Sequence, residues 1–188
     1  MVKALSQHIE KIIGTSFDSV VLEPYVEEIQ LKKKDFLFQA GHPCTHIYFV
    51  VHGCLNLYFV NDRGQNQTVQ FALENWWLTD FTAYRSGMHT KFFLQAVERG
   101  KVLAIHVDQE ERLLADFPQL ERYFRILHEK AYGASLMRMK YVYGYSKEEL
   151  YHDFAQKFPE FVQRVPQYLL ASFLGFTPEY LSELRRKV

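Results

Sequence analysis

The stretch LLASFLGFTPEYLSELRRK, residues 169–187, predicts two helices joined by a sharp turn. Gly175 stands at the turn, where a positive φ costs a glycine little. Thr177 suits the N-cap of the second helix and Pro178 suits its first position. Leucines at helical spacing would bury the two helices against each other: Leu170, Leu174, Leu181 and Leu184. This pattern is typical of a helix-turn-helix.

A helix-turn-helix places its second helix in the major groove of DNA, although a plain pair of packed helices shows the same pattern. Residues 161–188 carry four basic and two acidic side chains, on a chain whose formal net charge is +0. The local charge therefore favours DNA binding weakly. The predicted DNA contacts are Thr177, Pro178, Glu179, Tyr180, Ser182, Glu183, Arg185, Arg186 and Lys187. The three basic residues are expected to contact phosphates, which position a helix without reading sequence.

Upstream of this pair, a long helix is predicted to begin at Pro118, since proline suits a first helical turn. One stripe of this helix repeats in alternating four- and three-residue steps: Leu120, Phe124, Leu127, Ala131, Ala134, Arg138 and Tyr141. A stripe this narrow is typical of a parallel helix pair and predicts a homodimer. Packing of the stripe against the rest of the chain is the alternative. Residues 143–145 interrupt the helix, and Ser146 and Glu149 form a predicted capping box that opens a new domain.

Residues 36–107 show the two-residue alternation of β-strands. Residues 46–51 and 55–60 are rich in β-branched and aromatic side chains, and NDRG at residues 61–64 predicts a hairpin turn. Short strands with regular turns predict a sandwich or barrel. Short helices are expected on both sides of this region, at residues 5–13, at residues 24–28 and after a cap at Asp108.

Composition narrows the classes of function. With a formal net charge of +0, no global field draws the chain to nucleic acid or to an anionic membrane. Cys44 and Cys54 are too few for a cysteine-only zinc or iron–sulfur site, so we expect buried free thiols, no metal and no cofactor. The N-terminus lacks a signal-peptide core, and no apolar run approaches the ~18 residues of a membrane span. A cytoplasmic chain is expected.

No catalytic residues are predicted. The nearest approaches to a reactive cluster are His152-Asp153 and Cys44-Thr45-His46. Neither lies in a nucleophile motif, and a surface helix and a strand edge explain them equally well. We therefore predict that the chain is not an enzyme.

The order of these elements resembles the Crp/Fnr family of bacterial transcription regulators over essentially the full chain. QAG at residues 39–41 followed by IYFVVHG at residues 47–53 resembles the family's entry into its cyclic-nucleotide-binding barrel. The helix after Phe117-Pro118 resembles its dimer helix, and residues 170–187 resemble its helix-turn-helix. The resemblance implies a homodimer on near-palindromic DNA, whose DNA-binding domains are repositioned by a ligand in the barrel.

The fold class implied by the resemblance is α+β. Residues 1–117 would form a cyclic-nucleotide-binding-like double-stranded β-helix, or jelly-roll barrel, that acts as the sensor domain. Residues 118–144 would form the dimerisation helix and hinge. Residues 145–188 would form a winged-helix-like DNA-binding domain that lacks the wing, because the chain ends at Val188.

The implied ligand pocket departs from the pattern of relatives that bind cyclic AMP. Thr79-Asp80 stands where they have Gly-Glu, and Thr90-Lys91 stands where they have Arg-Ser. Lysine lacks the bidentate fork of arginine, so cyclic AMP is not the expected effector. An unknown apolar or acidic ligand, haem held by a histidine or Cys44, and no ligand at all stay open. The candidate ligand contacts are Thr79, Asp80, Phe81, Thr82, Thr90, Lys91 and Ser135.

The DNA-binding end departs from the family as well. Pro178 and Glu183 occupy places where members usually carry arginine, the common reader of guanine. Glu179 could accept a hydrogen bond from cytosine, whereas Glu183 would face a polyanion. A sensor or protein-interaction module with a vestigial helix pair is therefore the alternative to a DNA-binding regulator.

Overall fold

The computed structural model describes residues 1–186, and within them eight strands form two four-stranded antiparallel sheets. The strands are β1 (Glu27–Leu31), β2 (Phe36–Phe38), β3 (His46–His52), β4 (Leu55–Val60), β5 (Asn66–Ala72), β6 (Trp77–Leu78), β7 (Phe93–Ala96) and β8 (Gly100–His106). One sheet has the order β1-β8-β3-β6 and the other the order β2-β7-β4-β5. This is the arrangement of a jelly roll, so the predicted α+β chain with a jelly-roll barrel is confirmed.

The centre of the barrel is built on β3 and β8. Ile47 pairs with Ile105 and Phe49 pairs with Leu103, and all four side chains are fully buried. Residues 102–105 are buried one after another, without polar alternation. Such a run requires cover on both faces of the strand. The second sheet covers one face, and helices that include the N-terminal one cover the other.

Gly53 and Gly100 let the chain turn back at the ends of β3 and β8. Gly53 has a φ of +110°, and a Cβ there would lie 2.9 Å from the Cα of Gly100. A Cβ on Gly100 would lie 2.6 Å from the carbonyl oxygen of His52. Both contacts are with backbone, which cannot swing aside as a side chain does. Close approach of two chain segments, in addition to the turn itself, therefore requires glycine at these positions.

Helices surround the barrel and make up the C-terminal part of the described chain. They are α1 (Val2–Ile13), a 3-10 helix (Val20–Tyr25), α2 (Phe81–Ser86), α3 (Val107–Asp116), α4 (Gln119–Gly144), α5 (Lys147–Lys157), α6 (Pro159–Arg164), α7 (Gln167–Leu174) and α8 (Pro178–Arg186). Among these helices none is both long enough and apolar enough to cross a bilayer.

Three local predictions are wrong. The helical turn expected at residues 24–28 ends at Tyr25, because the chain is already paired in β1 from Glu27. Helix α2 interrupts the region expected to be strands, since the Asp80 side chain accepts from the Ala83 N–H (3.3 Å) and caps it. Asp108 does not cap α3; the N-cap is His106, whose Nδ1 accepts from the Asp108 N–H at 3.3 Å.

The first turns of α4 pack into the barrel of their own chain. Leu120 and Phe124 are buried in the barrel core, and the Phe124 ring lies 5.5 Å from that of Trp77. Their neighbour Tyr123 is buried beside them and accepts a hydrogen bond from the indole N–H of Trp77 (2.8 Å). Leu120 and Phe124 were expected at a dimer interface, and this expectation is corrected, because the chain's own aromatic side chains already cover them.

The C-terminal helices share a core with the barrel. The predicted capping box is present at the start of α5, where Ser146 Oγ accepts from the Glu149 N–H and the Glu149 carboxylate accepts from the Ser146 N–H. Apolar side chains of α5–α8 form one cluster with four buried residues of the barrel: Cys54, Phe71, Leu73 and Val97. Burial of this joint surface holds the C-terminal helices against the barrel.

Candidate functional site

Helices α7 and α8 form the turn that the sequence predicts. Gly175 adopts a φ of +76° and ends α7. The Thr177 hydroxyl accepts from the Tyr180 N–H at 3.2 Å and caps α8. Leu181 and Leu184 are buried against α7, where Leu170 and Ala171 are fully buried. The inner face of α8 is therefore held in place by apolar packing, and its outer face is left to solvent.

The predicted DNA contacts divide by exposure. Six are exposed: Thr177, Pro178, Glu179, Glu183, Arg185 and Arg186. Tyr180 and Ser182 are half-buried, and the Tyr180 ring packs edge-on against Phe176 at 5.6 Å. The prediction for Lys187 lies outside the described residues. Within residues 1–186 neither Arg185 nor Arg186 forms an ion pair, so both guanidinium groups are available to a partner.

Three of the predicted ligand contacts are used inside the protein. The Thr79 hydroxyl donates to the His46 carbonyl (2.8 Å) and lies 3.2 Å from the Cys44 sulfur. Besides capping α2, the Asp80 carboxylate accepts from the Thr90 hydroxyl at 2.8 Å. Thr79, Asp80 and Thr90 are all buried. Their polar groups hold α2 against the strands, and contact of these three residues with a ligand stays a prediction.

The other predicted ligand contacts do not converge on one pocket. Phe81 packs against His128 of α4, with ring centroids 4.9 Å apart. Thr82 and Lys91 are exposed, and Ser135 donates to the Ala131 carbonyl of its own helix at 3.0 Å. In the described part of the chain, no three histidine, cysteine or acidic side chains are grouped as a metal site would require.

The stripe of α4 that is exposed differs from the stripe that the sequence predicts as the dimer interface. Large apolar side chains stand exposed on α4 at Tyr132 (67%), Leu136 (43%), Met139 (49%) and Tyr143 (87%). These positions also follow steps of four, three and four residues. Of the stripe chosen from the sequence, Ala131 and Ala134 are exposed, and Leu127, Arg138 and Tyr141 are half-buried against the chain itself. The sequence shows the heptad spacing correctly. The predicted stripe is the one in line with Leu120 and Phe124, which the structure buries in the barrel core.

Comparison of the sequence with known proteins shows similarity to a ligand-binding domain and to two transcription regulators. Residues 28–117 match the family model of the cyclic nucleotide-binding domain. The chain is 32% identical over 95 residues to the transcriptional activator protein anr of Pseudomonas aeruginosa, which covers 49% of this chain and 37% of that protein. It is 25% identical over 167 residues to the anaerobic regulatory protein of Pasteurella multocida, which covers 82% of this chain and 60% of that protein.

The chain is similar to transcription regulators of the Crp/Fnr type. Its fold is similar to that of FixK2 from Bradyrhizobium japonicum, with a TM-score of 0.71, 17% identity, and 86% of this chain and 83% of that chain covered. The chain spans less than two thirds of the length of either relative named above.

In this chain, α7 lies directly against strand β5. Ser172 Oγ accepts from the Thr68 N–H (2.9 Å) and donates to the Asn66 carbonyl (2.7 Å). Arg138 of α4 donates to the Phe173 carbonyl at 3.0 Å and also to that of Val69, and its guanidinium lies 4.2 Å from the centre of the Phe173 ring. Side-chain groups of α7 and α4 thus meet the backbone of one barrel strand, which fixes the helix pair relative to the sheet.

A second contact, formed by charged side chains, joins α6 to the barrel. Arg164 forms a bidentate pair with Glu74, with both N–O distances 2.7 Å, and its Nε donates to Glu98 at 2.8 Å. Burial raises the pKa of the Glu74 carboxyl, but hydrogen bonds from Arg164 and from the Gly53 N–H outweigh burial and lower that pKa to about 2. The carboxylate is therefore ionised and committed to this contact at neutral pH.

The lowered pKa of Glu74 predicts an acid-sensitive contact. A carboxyl whose pKa is lower in the folded than in the unfolded state stabilises the fold at pH above the unfolded value, and this stabilisation is lost as pH falls through the folded value. We expect the Glu74→Gln variant to be less stable than wild type at pH 7. The difference should shrink progressively as pH falls from about 4.5 to about 2. Urea unfolding of both proteins across this range measures it, and a difference independent of pH would contradict the assignment.

Proposed function

We propose that this chain is a DNA-binding transcription regulator that acts as a homodimer. The observation that carries the proposal is the state of α8, which is anchored by buried Leu181 and Leu184 while its polar face, with Arg185 and Arg186, is exposed. A recognition helix needs this combination, because it must be rigid towards its domain and open towards the groove. The match of residues 28–117 to the cyclic nucleotide-binding domain and the regulatory names of the two relatives support the proposal.

The exposed residues of α8 receive different roles. Arg185 and Arg186 would contact phosphates and fix the helix on the duplex. Glu179, in the first turn, would accept from the amino group of a cytosine. The remaining predicted contacts would border the same surface: Thr177, Pro178, Tyr180, Ser182 and Glu183.

The homodimer would form through the exposed stripe of α4, defined by Tyr132, Leu136, Met139 and Tyr143. Apolar residues that recur in steps of three and four residues match the seam of a parallel helix pair. A twofold axis along that seam would present two copies of α8 to successive major grooves of a near-palindromic site.

The proposal also assigns a role to each part of the chain. Residues 1–117 would act as the sensor domain, residues 118–144 as the dimerisation helix and hinge, and residues 145–188 as the DNA-binding domain. The regulator would act in the cytoplasm and without catalysis. Two features support the absence of catalysis. Burial raises the pKa of the Cys44 thiol, which disfavours the nucleophilic thiolate. The Asp153 carboxylate is already paired with the Lys157 ammonium group at 2.7 Å.

Reversal of charge on α8 tests DNA binding. A binding site is first selected from random duplexes at low salt, and its affinity is then measured between 50 and 200 mM salt, a range over which a protein with several phosphate contacts loses roughly 10³-fold or more. In the Arg185→Glu/Arg186→Glu variant, loss of two phosphate contacts per protomer, four in the dimer, and added repulsion should weaken binding by at least about 100-fold. The salt dependence of the dimer should also become shallower, with a slope lower by about four.

The matched control is Lys3→Glu/Lys33→Glu, which makes the same change of charge at two exposed lysines of the N-terminal domain. It should leave affinity within about threefold of wild type, because those positions lie outside the proposed interface. Selection of no site at low salt, or equal binding by both double variants, would refute the assignment of α8 as the DNA-contacting helix.

The exposed acids of α8 favour one alternative function. Glu179 and Glu183 balance the two arginines of the helix, so α8 itself has no excess of positive charge. A protein partner with a mixed-charge surface would fit such a helix better than a polyanion would. In that case the chain is a sensor or interaction module, and a specific footprint on duplex DNA would exclude this alternative.

A further inference from the structure

A cavity of about 470 Å³ lies outside the barrel, between α1, α4 and the loop that joins β5 to β6. Its size falls in the range of small-molecule sites. The residues that line it are Ala4, Gln7, His8, Lys11, Ile12, Glu74, Asn75, Trp76 and Lys130. None of them belongs to the ligand pocket that the family resemblance implies, nor to the exposed face of α8.

The polar groups of this cavity are mostly hydrogen-bond donors. Lys11 and Lys130 supply two ammonium groups from different helices, and both are exposed. Gln7 and Asn75 add amide groups. The lining thus has two cations that come from two different helices, and an anion can pair with both of them.

His8 contributes a donor whose tautomer is set by its neighbours. The indole N–H of Trp77 donates to the Tyr123 hydroxyl (2.8 Å), which leaves the proton of that hydroxyl for Nδ1 of His8 (2.8 Å). A neutral imidazole that accepts at Nδ1 carries its proton on Nε2. Burial and the two nearby lysines lower the pKa of His8 to about 4, so the ring is neutral at pH 7. Its Nε2–H has no partner among the described residues.

The acid in the lining does not oppose an anion. The carboxylate of Glu74 is held by both guanidinium nitrogens of Arg164 and by the Gly53 N–H, so its charge is compensated. Beside it, Trp76 is 45% exposed and presents a flat apolar ring, and Ala4 and Ile12 supply further apolar surface. The cavity thus combines positive charge with an aromatic wall.

We propose that this cavity binds a small organic anion that carries a planar apolar group. Lys11 and Lys130 would hold the carboxylate or phosphate, the Nε2–H of His8 would donate to it, and Trp76 would stack on the planar group. This inference goes beyond the proposed function, since it assigns a site on the outside of the sensor domain.

Two residues of the cavity also contact the C-terminal helices. Glu74 pairs with Arg164 of α6, and the ring of Trp76 lies 6.2 Å from that of Phe161 on the same helix. If Arg164 leaves Glu74, the carboxylate keeps only the Gly53 N–H and His52 beside it and repels an anion in the cavity more strongly. Occupation of the cavity and docking of α6 therefore favour each other, because coupling between two equilibria is reciprocal.

Phenyl phosphate is a suitable probe because it joins a dianion to a planar ring. We expect it to shift the indole N–H signal of Trp76 saturably in NMR spectra of the full chain, in a buffer without multivalent anions. The Lys11→Gln/Lys130→Gln variant should bind at least about tenfold more weakly. The control Lys3→Gln removes one charge from an exposed site of α1 outside the lining and should bind within about twofold of wild type.

Comparison of probes separates the two halves of the site. Phenol lacks the charge and inorganic phosphate lacks the ring, so each should bind at least about tenfold more weakly than phenyl phosphate. Benzoate in place of phenyl phosphate distinguishes a carboxylate from a phosphate site. Absence of saturable binding by both organic anions, or unchanged binding in Lys11→Gln/Lys130→Gln, would overturn the proposal.

Replacement of Arg164 tests the connection to α6. Arg164→Gln frees the Glu74 carboxylate and should weaken phenyl phosphate by about fivefold, as a single repulsive charge in a partly exposed site does. The matched control is Glu98→Gln, which loses the other partner of Arg164 but does not line the cavity. Equal binding by both variants would refute the connection. No measurement here uses DNA, so failure of this site is distinguishable from failure of the proposed function.

Discussion

Replacement of Leu136 and Met139 together by aspartate is expected to convert the chain from a dimer to a monomer. Both side chains stand exposed on α4, at 43% and 49%, in line with Tyr132 and Tyr143. Burial of an apolar side chain of this size contributes about 1.5–3 kcal/mol, and a twofold dimer buries each of them twice. The variant would lose that contribution and would place four carboxylates along the seam, where like charges repel.

Sedimentation velocity measures this loss directly. Affinity for a selected near-palindromic duplex should fall by at least about 100-fold with it, because one monomer reaches only one half-site. The residues concerned do not touch the barrel core, so the thermal stability of the monomer should be retained. A variant that stays dimeric would show that the exposed stripe of α4 is not the interface.

The matched control chooses between the two stripes of α4. Ala131→Asp/Ala134→Asp adds the same charges at exposed positions of the stripe predicted from the sequence. If the exposed apolar stripe is the interface, this variant stays dimeric at concentrations where Leu136→Asp/Met139→Asp is monomeric. The reverse result would restore the original stripe and refute the one that the structure exposes.

Replacement of Arg85 by methionine is expected to destabilise the barrel by about 3 kcal/mol. Arg85 pairs with the Glu110 carboxylate at 2.7 Å, and Glu110 is only 1% exposed. The Tyr84 hydroxyl donates to the same carboxylate at 2.9 Å. Removal of one partner of a buried pair leaves an uncompensated charge and costs about 3–5 kcal/mol. The lower end applies here, because Arg85 itself is partly exposed and its charge is screened.

A second substitution isolates the buried charge as the cause. In Arg85→Met/Glu110→Gln the buried group is neutral and still accepts from Tyr84, so most of the lost stability should return. Arg63→Met, at the exposed tip of the β4–β5 hairpin, should change stability by less than about 0.5 kcal/mol. Urea unfolding measures the free energy of unfolding of wild type and the three variants. If Arg85→Met lowered it as little as Arg63→Met does, an uncompensated buried charge would be excluded as the cause.

The sequence alone predicts those elements that depend on hydrogen bonds between residues a few positions apart. The helix pair at the C-terminus depends on Gly175 and Thr177, and both act within three residues of their own positions. The capping box at Ser146 and the hairpin closed by the Asn61 side chain are likewise local hydrogen-bond patterns. Such features are readable because donor and acceptor are separated by a fixed, small number of residues.

Helix α2 was not predicted because the sequence on both sides of it has the aromatic, β-like pattern of strands. Residues 81–86 lie between strands in an aromatic stretch, and the cap at Asp80 resembles any loop aspartate until its partner Thr90 is brought beside it. For the same reason Asp80, Thr79 and Thr90 looked like free ligand contacts. Only folding shows that their polar groups are already paired.

By itself, the sequence determined the succession of a β region, a long helix and a C-terminal helix pair, the family resemblance and the position of the turn before α8. Only the tertiary structure decided which stripe of α4 is exposed, that Arg164 pairs with Glu74, and that His8, Lys11 and Lys130 border one cavity. The physical reason is distance along the chain. Hydrogen bonds and periodicity within a helix or hairpin are properties of neighbouring residues, whereas burial and charge pairing depend on segments that only the folded core brings together.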